Sequence, residues 1–157
     1  MSLFRGEKLV QCISYGVTDG SSAQSGVLGE VIESLVASGS AVALTTATPA
    51  NVTSISLSAG DWDIDGHVVF AGASATTAAG DLFSTGISTT SATLPTDGSE
   101  QPVGVPAVTT TSFKAGTSLI KKTISLSGAA TVYLVAEATF SAGTMGAYGS
   151  IVARRVR

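Results

Sequence analysis

The spacing Asp61, Asp63, Asp65, Gly66 is the most chemically suggestive in the chain. Oxygen ligands at positions one, three and five, then a glycine turn, open the loop of helix-loop-helix calcium sites. The twelfth position of such a loop supplies a bidentate Glu; here it is Gly72. The flanks alternate as strands do, and extended backbone sets alternate carboxylates about 6–7 Å apart, too far to chelate one ion. No calcium loop is expected; cation binding at a subunit junction is the weaker alternative. His67, the sole histidine, stands on the polar side of the same run and reads as a surface or interface residue rather than a ligand or pH sensor. Asn51-Val52-Thr53 fits the N-glycosylation pattern, but no signal peptide accompanies it.

Other catalytic equipment is thin. Cys12 is the only cysteine, so neither an intrachain disulfide nor a cysteine metal cage can form. The chain carries no phosphate-binding glycine loop, dinucleotide fingerprint, nucleophile elbow or paired-histidine zinc motif. A glycosidase using two of Asp61, Asp63, Asp65, Asp81 or Asp97 is a remote third reading. The expectation is a non-enzyme with no cofactor and no catalytic residue.

The elements that must position these side chains are strands. At 157 residues the chain makes one domain. Charged residues are 12% of it, against about 25% in ordinary soluble domains. Mean hydropathy is +0.42. Formal charge is −3, which argues against a nucleic-acid partner bound by phosphate neutralisation. The first residues do not read as a signal peptide, and no apolar run is long enough to span a membrane. Residues 61–70 place Trp62, Ile64, Val68 and Phe70 on one face and Asp61, Asp63, Asp65 and His67 on the other. The same period-two logic predicts strands over 7–15, 28–36, 52–58, 82–90, 107–113, 119–126, 130–140 and 148–156. Turn signals at Asp19-Gly20, Ser38-Gly39, Thr48-Pro49, Asp97-Gly98, Ala115-Gly116, Ser127-Gly128 and Ala142-Gly143 separate them. The pattern predicts an all-β antiparallel sandwich or barrel.

Two strands are apolar on both faces. Tyr133 and Val135 oppose Val132, Leu134 and Ala136; Val152 opposes Ile151 and Ala153. A sandwich has one inward face per sheet, so the second apolar face needs another cover, and a sister copy is the economical one. Low charge points the same way, to an obligate oligomer. Charge is also segregated: nine acidic residues and no Lys or Arg lie between Lys8 and Lys114. Either one end of the molecule is electropositive, or the terminal arginines keep the last strand's edge soluble.

Three stretches then carry a family resemblance. They are Gly29-Glu30-Val31-Ile32-Glu33-Ser34, Val42-Ala43-Leu44-Thr45-Thr46, and the run from Ala50 through Asp61-Trp62-Asp63-Ile64-Asp65-Gly66. With Ile87-Ser88-Thr89-Thr90 and the closing Tyr148-Gly149-Ser150-Ile151-Val152-Ala153-Arg154-Arg155, the chain resembles the head domains of tailed-phage fibres and related small virion proteins. The resemblance covers roughly residues 27–157. It implies a jelly-roll sandwich similar to the tumour-necrosis-factor (TNF) and complement-globular-head folds. It implies a homotrimer, and a non-enzymatic place on the virion surface.

The expected organisation is an anchoring arm, residues 1–26, and a jelly-roll head, residues 27–157. The arm is too short for a fibre shaft and favours a capsid decoration or head-fibre protein. Phe4, Arg5, Lys8, Leu9 and Val10 are expected to dock it on another virion protein, a major capsid or tail protein. Tyr133, Val135, Tyr148 and Val152 are the expected trimer interface. Residues 74–81 and 97–101 are expected to be exposed tips, with Asp81, Asp97 and Glu100 available for binding. The alternative function is the receptor-binding head of a tail fibre or spike, whose tips would meet a host surface glycan or protein.

Overall fold

The computed structural model describes residues 20–103 and 108–157, with side chains described outside 73–82 and 108–112. Along the chain run β1 (Val31–Val36), a 3-10 turn (Ser38–Ser40), β2 (Val42–Leu44), β3 (Ala50–Leu57), β4 (Gly60–Ser88), β5 (Gln101–Val103), β6 (Val108–Gly116), β7 (Ile120–Leu126) and β8 (Ala130–Arg155). Every strand pairing is antiparallel. The all-β antiparallel expectation therefore holds. Among the described residues, no helix is long and apolar enough to cross a membrane.

The spine is a ribbon of β4 and β8, paired from Trp62↔Arg155 to Ser88↔Tyr133. β3, β2 and β1 line the free edge of β8, and β7, β6 and β5 line that of β4. Each spine strand joins two segments that the sequence pattern had separated: 61–70 with 82–88 in β4, and 130–140 with 148–155 in β8. Residues 74–81 are strand backbone within β4. Ala142-Gly143 lies inside β8. The ladder instead shifts register between Ala73 and Phe83, and Gly143 adopts φ +81°. Extra residues in a ladder bend a strand without ending it, so the ribbon turns there unbroken. β2 and β5, three residues each, were not anticipated; neither is long enough to show a period.

The bent ribbon packs on itself. Phe70 and Phe83, from the two sides of the bend in β4, meet with tilted rings whose centroids are 4.7 Å apart. A Cβ on Gly66 would stand 2.9 Å from Leu134 Cδ1, so the backbone of one layer rests on side chains of the other. Ser34 and Thr53 join β1 to β3 through hydroxyls 2.6 Å apart. One layer is thus β3-β8-β4-β5, the other β1-β8-β4-β7. Between them Trp62, Ile64, Val68 and Phe70 meet Phe83, Ile87, Val132 and Leu134, each at most 1% exposed. Full burial of such a side chain stabilises by about 1.5–3 kcal/mol. The ladder itself depends on Gly149, where a Cβ would lie 2.0 Å from the His67 carbonyl oxygen.

Candidate functional site

The acidic run occupies the outer face of the β1-β8-β4-β7 layer. β7 sets Ser125, Thr123 and Lys121 directly opposite Asp61, Asp63 and Asp65. Thr123 donates to Asp63 over 2.7 Å, and Lys121 pairs with Asp65 at 3.4 Å. Asp61 is held well below the usual carboxylate range, first by the Ser125 hydroxyl and then by Arg157. The spacing that resembled a calcium loop is a column of cross-strand pairs. His67 lies on the same face, half-buried, opposite Ser150.

The basic C-terminus is not a free electropositive end. Arg155 is buried, and its Nε lies 3.0 Å from Glu30 Oε2. Its Nη1 donates to the Ala59 carbonyl over 2.8 Å, and its guanidinium lies 4.2 Å from the Trp62 ring centre. Burial pushes the Glu30 carboxyl up, but bonds from the Gly26 N–H, Arg155 and Ser25 outweigh it and leave the group below its ordinary value. Gly60 leaves room for this guanidinium; a Cβ there would lie 2.1 Å from Nη1. Arg157 pairs with Asp61, which leaves Arg154, exposed on the outer face, as the terminal arginine without an ion pair among the described residues.

The two outer faces differ in cover. On the β3-β8-β4-β5 layer, Asn51, Val135 and Gly86 lie in one row across three strands. The connection following β4 crosses this row. Asn51 Nδ2 donates to Ser91 Oγ over 2.7 Å, and Asn51 Oδ1 accepts from the Ala92 N–H over 2.7 Å. At the other end Pro95 sits where a Gly86 Cβ would be, 2.3 Å from its Cδ. Val135 is 0% exposed within the single chain. The expectation that Val135 lies in a trimer interface is therefore corrected: the chain's own strap covers it. Asn51, which sequence reading considered only for glycosylation, anchors that strap. Tyr133, in the same column, remains half-buried.

The other outer face has no such strap among the described residues. Tyr148 and Val152, expected at the interface, lie on it half-buried, on the same face as Val31 and Val69. Lys114 approaches the Tyr148 ring at 5.8 Å. Leu35, on β1, is 74% exposed. It was not among the residues expected at the interface. Between β8, β4 and β7 the face sinks into a groove of about 430 Å³.

The remaining candidate residues fall elsewhere. Asp97 is exposed, but its carboxylate is engaged by Ser99 and by Lys122 Nζ at 3.0 Å. The Ser99 hydroxyl, then Lys122, hold it far below the usual carboxylate range. Lys122 also donates to the Ile87 carbonyl over 3.3 Å, so Asp97 fastens this loop across the two layers. Glu100 is half-buried beside it. The Asp81 side chain, and Phe4, Arg5, Lys8, Leu9 and Val10, lie outside the described residues. Ser22 and Gly26, assigned to the arm, bond to Val31 and Glu30 of the head.

No protein-family model matches the chain, and no curated protein matches it. A solved structure described as that of infectious bursal disease virus, Gx strain, is similar at a TM-score of 0.37 and 12% identity over 79% of this chain. The chain spans 31% of that protein's chain.

Proposed function

We propose that the chain is a non-enzymatic structural protein of a bacteriophage virion surface. It works as a homotrimer of jelly-roll sandwiches that decorates the capsid or forms a short head fibre. The observation that carries this reading is the unequal cover of the two outer faces. One is closed by the chain's own strap; the other, which also carries the Asp61, Asp63 and Asp65 column, presents Leu35 at 74% exposure opposite Ser150, with Val31, Val69, Tyr148 and Val152 half-buried on the same face. Sister copies close that second face. The long antiparallel ribbon bent over on itself supports the jelly-roll assignment, and the sequence resemblance to phage head domains supports the virion setting.

Residues 1–15 then act as the docking arm, with Arg5 and Lys8 presented to acidic sites on a capsid or tail protein. Many weak contacts repeated over the shell stabilise it by mass action. Deleting residues 1–15 should leave a folded trimer that no longer binds particles. A truncated trimer that binds as well as the intact chain would rule out the arm as the anchor. Copy number per particle tests the location: decoration requires hundreds of copies, a tail position only a handful.

A further inference from the structure

Aspartate is followed by glycine at Asp19-Gly20, Asp65-Gly66 and Asp97-Gly98. In such a pair the glycine amide nitrogen can attack the aspartate side-chain carboxyl carbon, because glycine has no side chain to block the approach. The attack needs a neutral carboxyl and a peptide unit free to swing toward it. Asp19 lies outside the described residues; the other two pairs differ sharply in this freedom. Asp65 and Gly66 lie mid-strand, paired on one side with Lys121 and Ile120 and on the other with Val152 and Ile151. Gly66 is buried against Leu134, so its peptide cannot turn without opening two ladders. Asp97 and Gly98 lie in the exposed loop before β5, outside any strand. Gly98 adopts φ +82°, and a Cβ on it would meet nothing within 4 Å.

Hydrogen bonds, not a ladder, restrain this exposed pair. The Ser99 N–H donates to Asp97 Oδ1 over 3.0 Å, and the Ser99 hydroxyl bonds the same oxygen. Lys122 Nζ donates to Oδ2 over 3.0 Å. Each of these favours the ionised carboxylate, the form that does not undergo attack. Lys122 comes from β7 and also holds the Ile87 carbonyl, so the restraint is anchored outside the loop.

We infer that Asp97-Gly98 is a site of spontaneous isoaspartate formation, and that Lys122 and Ser99 set its rate by holding the carboxylate. When these bonds open, the Gly98 nitrogen bonds to the Asp97 side-chain carboxyl carbon. The Gly98 amide proton and the carboxyl hydroxyl leave together as water, which closes a cyclic imide. Water then adds to one imide carbonyl and breaks its bond to nitrogen. Addition at the side-chain carbonyl restores aspartate. Addition at the main-chain carbonyl leaves the backbone running through the side chain, with the former main-chain carboxyl as a free carboxylate. One water leaves and one enters, so the mass is unchanged. The backbone is then longer by one carbon and the carboxylate stem shorter by one, so neither Ser99 nor Lys122 meets it as before. The tie that Asp97 makes across the two layers is lost.

The test is to hold the full chain at neutral pH and body temperature for weeks and map its peptides by electron-transfer fragmentation, which distinguishes isoaspartate from aspartate at each position. Isoaspartate should accumulate at residue 97 and be at least about tenfold scarcer at residue 65, whose peptide is released only by opening the sheet. Lys122→Met and Ser99→Ala should each speed conversion at residue 97 by roughly threefold or more and leave residue 65 unchanged. Circular dichroism checks that each variant keeps the fold, and residue 65 serves as the internal control for it. No isoaspartate at residue 97, or as much at residue 65, would overturn the site. Conversion at residue 97 that neither variant alters would overturn the control by Lys122 and Ser99.

Discussion

Glu30 and Arg155 are 125 positions apart in sequence and meet as a buried ion pair at 3.0 Å. The same two residues exchange backbone contact, the Arg155 N–H donating to the Glu30 carbonyl over 2.9 Å. The guanidinium also reaches Ala59 and Ser58 in the β3-β4 turn. One side chain thus ties together the entry to β1, the exit of β8 and the turn that starts the spine.

Removing one partner of this pair strands the other charge in the interior. Glu30→Gln and Arg155→Met should each cost about 3–5 kcal/mol, whereas the double replacement should cost less than the sum. Denaturant unfolding of the four species measures the coupling. Additive losses would mean that the pair does not act as a unit.

The lowered carboxyls make stability depend on acid in a defined direction. Glu30 lies below its ordinary 4.5 and Asp61 below its ordinary 3.8 in the folded chain. The unfolded chain therefore takes up protons first, and the stabilisation these groups give is complete above pH 4.5. It declines as pH falls through the folded values. Tm should be flat from neutrality to about pH 5 and then drop. Glu30→Gln should flatten that drop, and an unchanged slope would contradict the assignment.

Thr85 is 0% exposed and its hydroxyl has no hydrogen-bond partner among the described residues. Valine keeps the shape and removes the unmet polar atom. Thr85→Val should raise unfolding free energy by about 1 kcal/mol. A loss would point to a hydrogen bond made by that hydroxyl in solution.

The strap over Val135 hangs on two bonds from Asn51. Asn51→Ala should cost about 1 kcal/mol in global stability. It should raise hydrogen exchange in residues 89–95 far more than in β8. Equal change throughout would mean that the strap does not open separately from the sheet.

These contacts explain which parts of the molecule were legible in the sequence. Alternation in 61–70 placed Trp62, Ile64, Val68 and Phe70 in the core because a half-buried strand repeats with the pleat. It also put three aspartates on the outside, but their partners come from β7, about sixty residues away, and no local pattern names them. Gly143 signalled a chain reversal and proved to be a bend within one strand, since a glycine at positive φ serves either. The doubled apolar face around Val135 was read correctly as needing a cover. The source of the cover was not legible, because it hangs on an asparagine 40 positions before the serine it holds. Leu35, Val31, Val69, Tyr148 and Val152 stay on the uncovered face beside the aspartate column.

The mass of the intact chain in solution tests the central claim most directly. Native mass spectrometry or sedimentation equilibrium at micromolar concentration should return three copies of the 15.6 kDa chain. A stable, well-behaved single copy at that dilution would contradict the account, because the open face would then need no sister subunits.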